Sequence, residues 1–409
     1  SKLYIYVFQI ASLIVFASTL GIVFEGCMQG LQRFGRLAVS RILAQCLRVT
    51  VSISLLLLGY GVIAVFIGVV IYYVAFIALT LPLIIKWLIK DKSIKNNLGT
   101  DHHGFRILLS FSLPMTIYHF VIYLSTSIDR YIVLNLIGVD ALGLYTVILT
   151  SSGLLNMFTL PLMATLLPAM SKIHGADGAN NLSNAFKISS RYVALFFIPA
   201  SLGLAVLSPL AIKIIAGSTY ASGVIPLTII CLGMCLYGFS TTLISTLTAL
   251  GKTMRVMAAI LFAALVELTI GLLIAPALGV VGVATSRAIM YVAMFTFLML
   301  ASFKVLPILF DKAAIRNSVI ASSLMAFFLF LIASNTNYLL VFTPLYILAG
   351  LLVYVLILAC IGALKLEDVH LFFKLIPKGQ NLFYKIKRSI KSSELLFSLA
   401  RWALREHHK

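Results

Sequence analysis

Long apolar runs broken by short polar or basic stretches set the pattern of this chain from end to end. Eleven windows are apolar over about 20 residues or more, the length that a helix needs to cross a bilayer. Their approximate limits are 3–24, 36–58, 61–85, 107–137, 140–169, 188–215, 221–249, 256–277, 279–302, 316–334 and 338–364. In lipid each segment must satisfy its own backbone polar groups, so the expected class is an all-α polytopic membrane protein. Pro114, Pro161, Pro199, Pro209 and Pro226 fall inside spans. Neighbouring helices tolerate proline there, and it supplies kinks or hinges.

Composition agrees, with 61% hydrophobic and 11% charged residues and a mean hydropathy of +1.09. The net charge of +19 raises the question of nucleic acid, and its distribution answers it. With Arg36, Arg191 and Arg316, at span ends, counted in the connections that they border, five of the 31 basic residues lie within spans: Arg41, Arg48, Arg130, Lys213 and Arg287. All the others except Lys2 fall in alternate connections or from Lys365 onward. Turns on the opposite side, such as 59–61 and 335–338, carry none. This asymmetry places the basic loops and the C-terminus in the cytoplasm, and it accounts for the charge without nucleic acid. The five cysteines sit in or beside apolar spans without metal-ligand spacing and read as packing residues.

The chain opens at Ser1 already close to an apolar segment and lacks the marks of a signal peptide, so it is expected to begin partway through a larger protein. Residues 366–409 carry shorter apolar stripes among basic residues, with Leu395, Leu399 and Trp402 at helical spacing. They read as an interfacial amphipathic helix against anionic lipid. An internal repeat also emerges. Residues 30–58 moved forward by 219 place Arg33 on Lys252, Arg36 on Arg255 and Arg48 on Glu267. Each copy holds a basic loop, a span with one buried charge, a glycine-rich turn and a second span. Copies running in the same direction imply two parallel bundles with the ligand site between them.

The buried charges carry the candidate chemistry. A charge at the bilayer centre costs at least about 2.5–3.5 kcal/mol. Arg41, Gln45, Arg48 and Ser52, spaced by four, three and four, make one polar stripe. Arg48 lies about 18 Å along the helix from Arg36, near the midplane. Thr116, His119, Tyr123, Thr126 and Arg130 make a second stripe, with His119 read as a packed residue and not a proton relay. Asp129 points about 100° away from Arg130 and is available to another neighbour. Glu267 and Arg287 sit in the two spans that follow. Arg48 with Glu267, or Asp129 with Arg130 or Arg287, are alternative structural pairs. Five basic against two acidic intramembrane charges leave a positive excess, which suits an anionic ligand, and the arginine fork suits phosphate oxygens. Lys213 reads as an anchor that reaches the interface.

No phosphate-binding loop, nucleophile elbow or zinc-protease helix occurs. At this point a resemblance enters. The stretch "RILLSFSLPMTIYHFVIYLSTSIDRYIVLNLIGVDALGLYTV" (106–147) resembles the polysaccharide transporters of the multidrug/oligosaccharidyl-lipid/polysaccharide superfamily. The marks are a Ser-x-x-Pro-type helix opening, an Asp-Arg pair late in the span and Leu-Gly-Leu-Tyr after the turn. "LPAMSKI" (167–173), the segment 198–220 and "ALGVVGVATS" (277–286) fit as well. The resemblance reaches to about residue 364. It implies two six-helix lobes in a chain of twelve to fourteen helices, and it sets the first span here on the family's fourth. It also implies a cationic central cavity for pyrophosphate and acidic sugars.

The expected organisation is therefore the remainder of an N-lobe (1–105), a C-lobe of six spans (106–302), two additional spans (303–364) and a basic tail (365–409). The expected function is an alternating-access flippase for polyprenyl-(pyro)phosphate-linked oligosaccharide, of the O-antigen or exopolysaccharide type, and not an enzyme. Arg48, Arg130, Arg287, Arg41, Gln45 and Tyr123 are the candidate substrate-binding residues. Glu267 and Asp129 are candidates for coupling or gating, either pairing with arginines in the empty state or binding H+ or Na+, with no other cofactor or metal. Expected partners are the lipid-linked oligosaccharide, membrane lipids and polysaccharide assembly proteins. Two alternatives stand: a cation-coupled drug antiporter of the same fold, which predicts an acidic or aromatic excess in the cavity, and a membrane glycosyltransferase or polymerase, which predicts a long external loop with carboxylates.

Overall fold

A computed structural model describes residues 2–31, 33–90, 127–157, 179–303, 310–336 and 338–362, with single positions 109, 116, 120, 123, 124, 170 and 305. The chain divides into two compact units, Ser1–Phe111 and Ser112–Lys409. All regular structure among the described residues is helical. Eight stretches there are long and apolar enough to cross a membrane. The basic tail and the loop from residue 91 to 108 lie outside the described residues.

The first unit holds α1 (Lys2–Gly30), α2 (Phe34–Leu57) and α3 (Val62–Lys90). Met28, Leu37, Ala44 and Phe76 form its small core. The α2–α3 turn uses Gly59 at φ +87° and Gly61 at φ +54°, a region that glycine enters without steric cost. Gly68 of α3 lets α2 approach closely, since a Cβ there would meet the Ser52 hydroxyl and the Arg48 carbonyl.

The second unit begins its continuous description with α4 (127–136) and α5 (Val139–Ser152), and continues through α6 (Ala179–Val206), α7 (Ser208–Ala216), α8 (Val224–Ala249), α9 (Thr253–Phe303), α10 (Lys312–Asn335) and α11 (Thr343–Cys360). The span expected over 188–215 starts earlier and is two helices. The break falls at Leu207, and Pro209 opens α7, where its missing N–H would have no partner in any case. The span expected over 140–169 leaves α-helix at Ser152 for a short 3-10 turn, Gly153–Leu155.

The 51 residues of α9 are a hairpin, not a rod. Gly279 has φ +57° and ψ −135°, and the chain reverses there. Arg255 Nη1 donates to the Ala301 carbonyl at 3.0 Å, whereas a straight helix would separate these residues by about 69 Å. The two arms match the spans expected over 256–277 and 279–302. Close backbone approach fixes the packing: Gly233 of α8 lies against Ala288 of the second arm, and Gly238 lies against Phe197 of α6. Tyr145, Phe186, Leu243, Val283 and Leu298 belong to the core between these helices. A second core, with Leu195, Ala321, Met325, Leu329 and Tyr354, fastens α10 and α11 to α6.

Candidate functional site

Three of the expected intramembrane charges meet in the second unit. Arg287, eight residues past the Gly279 turn on the second arm of α9, extends its guanidinium between two carboxylates. Its Nη1 stands 2.9 Å from Asp129 Oδ2 and 3.3 Å from Glu267 Oε1. Asp129 comes from α4 and Glu267 from the first arm of α9. Both carboxylates are fully buried, and the Arg287 side chain is 12% exposed. Nε of Arg287 donates to the Tyr291 hydroxyl at 3.3 Å, one helical turn on, and the guanidinium carbon stands 5.7 Å from that ring's centre. Tyr237 of α8 packs its ring on Tyr291. Burial makes each of these contacts stronger than its equivalent in water.

The cluster is unevenly satisfied. Asp129 Oδ2 also accepts from the Tyr145 hydroxyl at 2.9 Å, and Oδ1 accepts from the Arg130 backbone N–H at 2.8 Å. Glu267 uses Oε1 alone; its Oε2 is buried with no hydrogen-bond partner. With both acids ionised the group carries one excess negative charge, and the bare oxygen marks where a proton or a small cation would complete it.

Arg287, expected to bind substrate or to pair with Asp129, is a paired cation that meets both carboxylates. Glu267 pairs with Arg287, and Asp129 pairs with Arg287 and not with the side chain of its neighbour Arg130. Arg130 is exposed, about 100° around α4 from Asp129. Tyr123 is 61% exposed. His119 and Thr126 of that stripe lie outside the described residues. Lys213 is exposed in the last turn of α7, where a cation complements the free carbonyls of the helix end.

In the first unit the stripe on α2 divides. Arg48 and Ser52 border the contact with α3 at Gly68 and are half-buried. Arg41 and Gln45 face a shallow open groove of about 370 Å³, lined also by Ile42, Cys46 and Tyr72. Arg41 pairs with Glu25 of α1, which also accepts from Gln29 at 2.9 Å. Glu25 was not among the expected residues. Being the only acid in the first 90 residues, it was the available signal. Tyr145 and Tyr291 were missed as well. Tyr145 closes the Leu-Gly-Leu-Tyr motif, and Tyr291 stands four residues after Arg287, the spacing of one helix face.

With this geometry in place, the profile of a family described as polysaccharide biosynthesis protein matches residues 2–225, more than half of the chain. The chain belongs to that family. Among solved structures, the chain is similar to the lipid II flippase MurJ in an inward closed conformation. The TM-score is 0.68 at 19% identity, over 86% of this chain and 73% of the other. It is also similar to an outward-facing multidrug resistance MATE family transporter of the MOP superfamily. There the TM-score is 0.55 at 14% identity, over 74% and 69% of the two chains. No curated protein sequence matches it significantly. The family member is thus a multi-pass helical membrane protein with the fold of the MOP superfamily, as its motifs suggested.

Proposed function

We propose that this family member is an alternating-access flippase that carries polyprenyl-(pyro)phosphate-linked oligosaccharide across the plasma membrane for surface polysaccharide assembly. The observation that carries the proposal is the family match, on a chain whose fold is that of a lipid II flippase. Arg48 and Arg130, whose guanidinium groups meet no carboxylate among the described residues, receive the phosphate oxygens, helped by Arg41, Gln45 and Tyr123. Arg287 joins Asp129 and Glu267 in the coupling cluster, and Glu267 Oε2 takes the coupling H+ or Na+. Membrane lipids and polysaccharide assembly proteins are its partners, and transport without covalent chemistry is its activity.

Reconstituted in vesicles, the protein is expected to move a fluorescent polyprenyl-pyrophosphate-linked sugar between leaflets. Movement no faster than in protein-free vesicles refutes the flippase. Arg48→Ala and Arg130→Ala are expected to abolish movement while the protein remains monodisperse. Full activity of both overturns the assignment of these residues and leaves the flippase intact.

A second reading has one observation in its favour. The buried pair of carboxylates among Tyr145, Tyr237 and Tyr291 is the acidic, aromatic environment expected of a cation-coupled drug antiporter of this fold. Extrusion of a lipophilic cationic dye from the same vesicles, with the labelled lipid left in place, would select it.

A further inference from the structure

We infer that α10 and α11 clamp a hinge in α6 at Pro199, and so set how readily that helix bends. Pro199 lies inside α6, seven residues before its end at Val206. A proline offers no N–H to the carbonyl four residues earlier, and its ring crowds that turn. The carbonyl so deprived is that of Leu195; the carbonyl of Ala194 borders the same gap. Lipid supplies no water to replace the lost donor.

Two side chains from outside the helix fill the gap. Tyr354 of α11 donates its hydroxyl to the Leu195 carbonyl at 2.8 Å. Ser318 of α10 donates to the Ala194 carbonyl at 2.5 Å. The two hydroxyl oxygens stand 3.1 Å apart, and both residues are buried, so no solvent competes. Each hydroxyl owns one proton, and together they serve three short contacts. One contact must always go without a proton, which allows the pair to regroup when the hinge moves.

Apolar packing already holds α10 and α11 to α6 through Leu195, Met325, Leu329 and Leu358. The hydroxyls add something that packing cannot, a polar hold on the one turn of α6 whose internal bond is missing. Pro199 thus makes α6 bendable, and Ser318 and Tyr354 resist the bend. The inference does not depend on which ligand the protein carries.

The test is amide hydrogen exchange of the full chain in lipid nanodiscs, read over residues 196–206. Tyr354→Phe keeps the ring and removes the hydroxyl. It is expected to speed exchange there about threefold, the equivalent of one interhelical hydrogen bond in a bilayer, and to leave α8 unchanged. Adding Pro199→Ala returns an N–H to the Leu195 carbonyl and is expected to restore slow exchange. Wild-type exchange in Tyr354→Phe overturns the clamp. So does faster exchange that Pro199→Ala fails to reverse, because the cause would then be lost packing. Should Tyr354→Phe not fold, Ser318→Ala carries the same expectations for the Ala194 carbonyl, except that the Pro199→Ala rescue is then partial.

Discussion

Asp129 Oδ2 accepts from Tyr145 and from Arg287 at once, and Arg287 in turn faces Glu267, so no member of the cluster can be removed without stranding another. Breaking a buried ion pair from one side costs about 3–5 kcal/mol, because the remaining charge has no compensation. Arg287→Met is therefore expected to destabilise the protein by about that amount in a thermal melt in detergent. The triple change Asp129→Asn, Glu267→Gln, Arg287→Met should recover most of the loss, since it leaves no charge behind. A triple variant no more stable than the single one would show that the guanidinium acts through its shape and not its charge. Much of this cluster was legible in the sequence, because a charge inside an apolar span is conspicuous whatever it faces. The partners were not. Spacing gives the face of a helix and says nothing about which helix stands opposite, so Asp129 had both Arg130 and Arg287 as expected partners, Glu267 was expected beside Arg48, and Glu25 passed unnoticed.

Elements were legible where hydropathy alone decides them, and less so where backbone geometry does. The apolar windows located α2, α3, α8, α10 and both arms of α9. They could not place the break at Leu207, where the apolar run continues while the helix does not. Two glycines separate the roles that this residue plays. Gly279 turns the α9 hairpin at positive φ, so Gly279→Ala is expected to cost about 1–3 kcal/mol in the same melt. Gly143 lies inside α5 with nothing within 4 Å of a prospective Cβ, so Gly143→Ala is expected to be neutral or to stabilise by up to about 1 kcal/mol. Equal effects at the two sites would contradict the hairpin geometry.

At the scale of the whole molecule, the repeat seen in letters reappears as architecture within each unit. A pair of antiparallel helices joined at positive-φ glycine follows a basic segment in both, α2–α3 at Gly59 and Gly61, and α9 at Gly279. The orientation proposed from the basic loops gives a direct prediction. Single cysteines placed at residues 60 and 336 should react with a membrane-impermeant maleimide from outside intact cells, and one placed at residue 252 should not. Reaction at residue 252 alone would invert the topology.

The α9 hairpin has a bearing on how the protein enters the bilayer. Glu267 and Arg287 stand 20 residues apart on opposite arms and come together as soon as those arms close. Either arm inserted alone would carry a naked charge into the hydrocarbon, at about 2.5–3.5 kcal/mol apiece on an insertion scale. Emerging from the translocon as one closed unit, the hairpin brings its own counter-ion and crosses as a compensated pair. Biogenesis thereby favours delivery of the two arms together, with Asp129 already waiting in a helix made earlier.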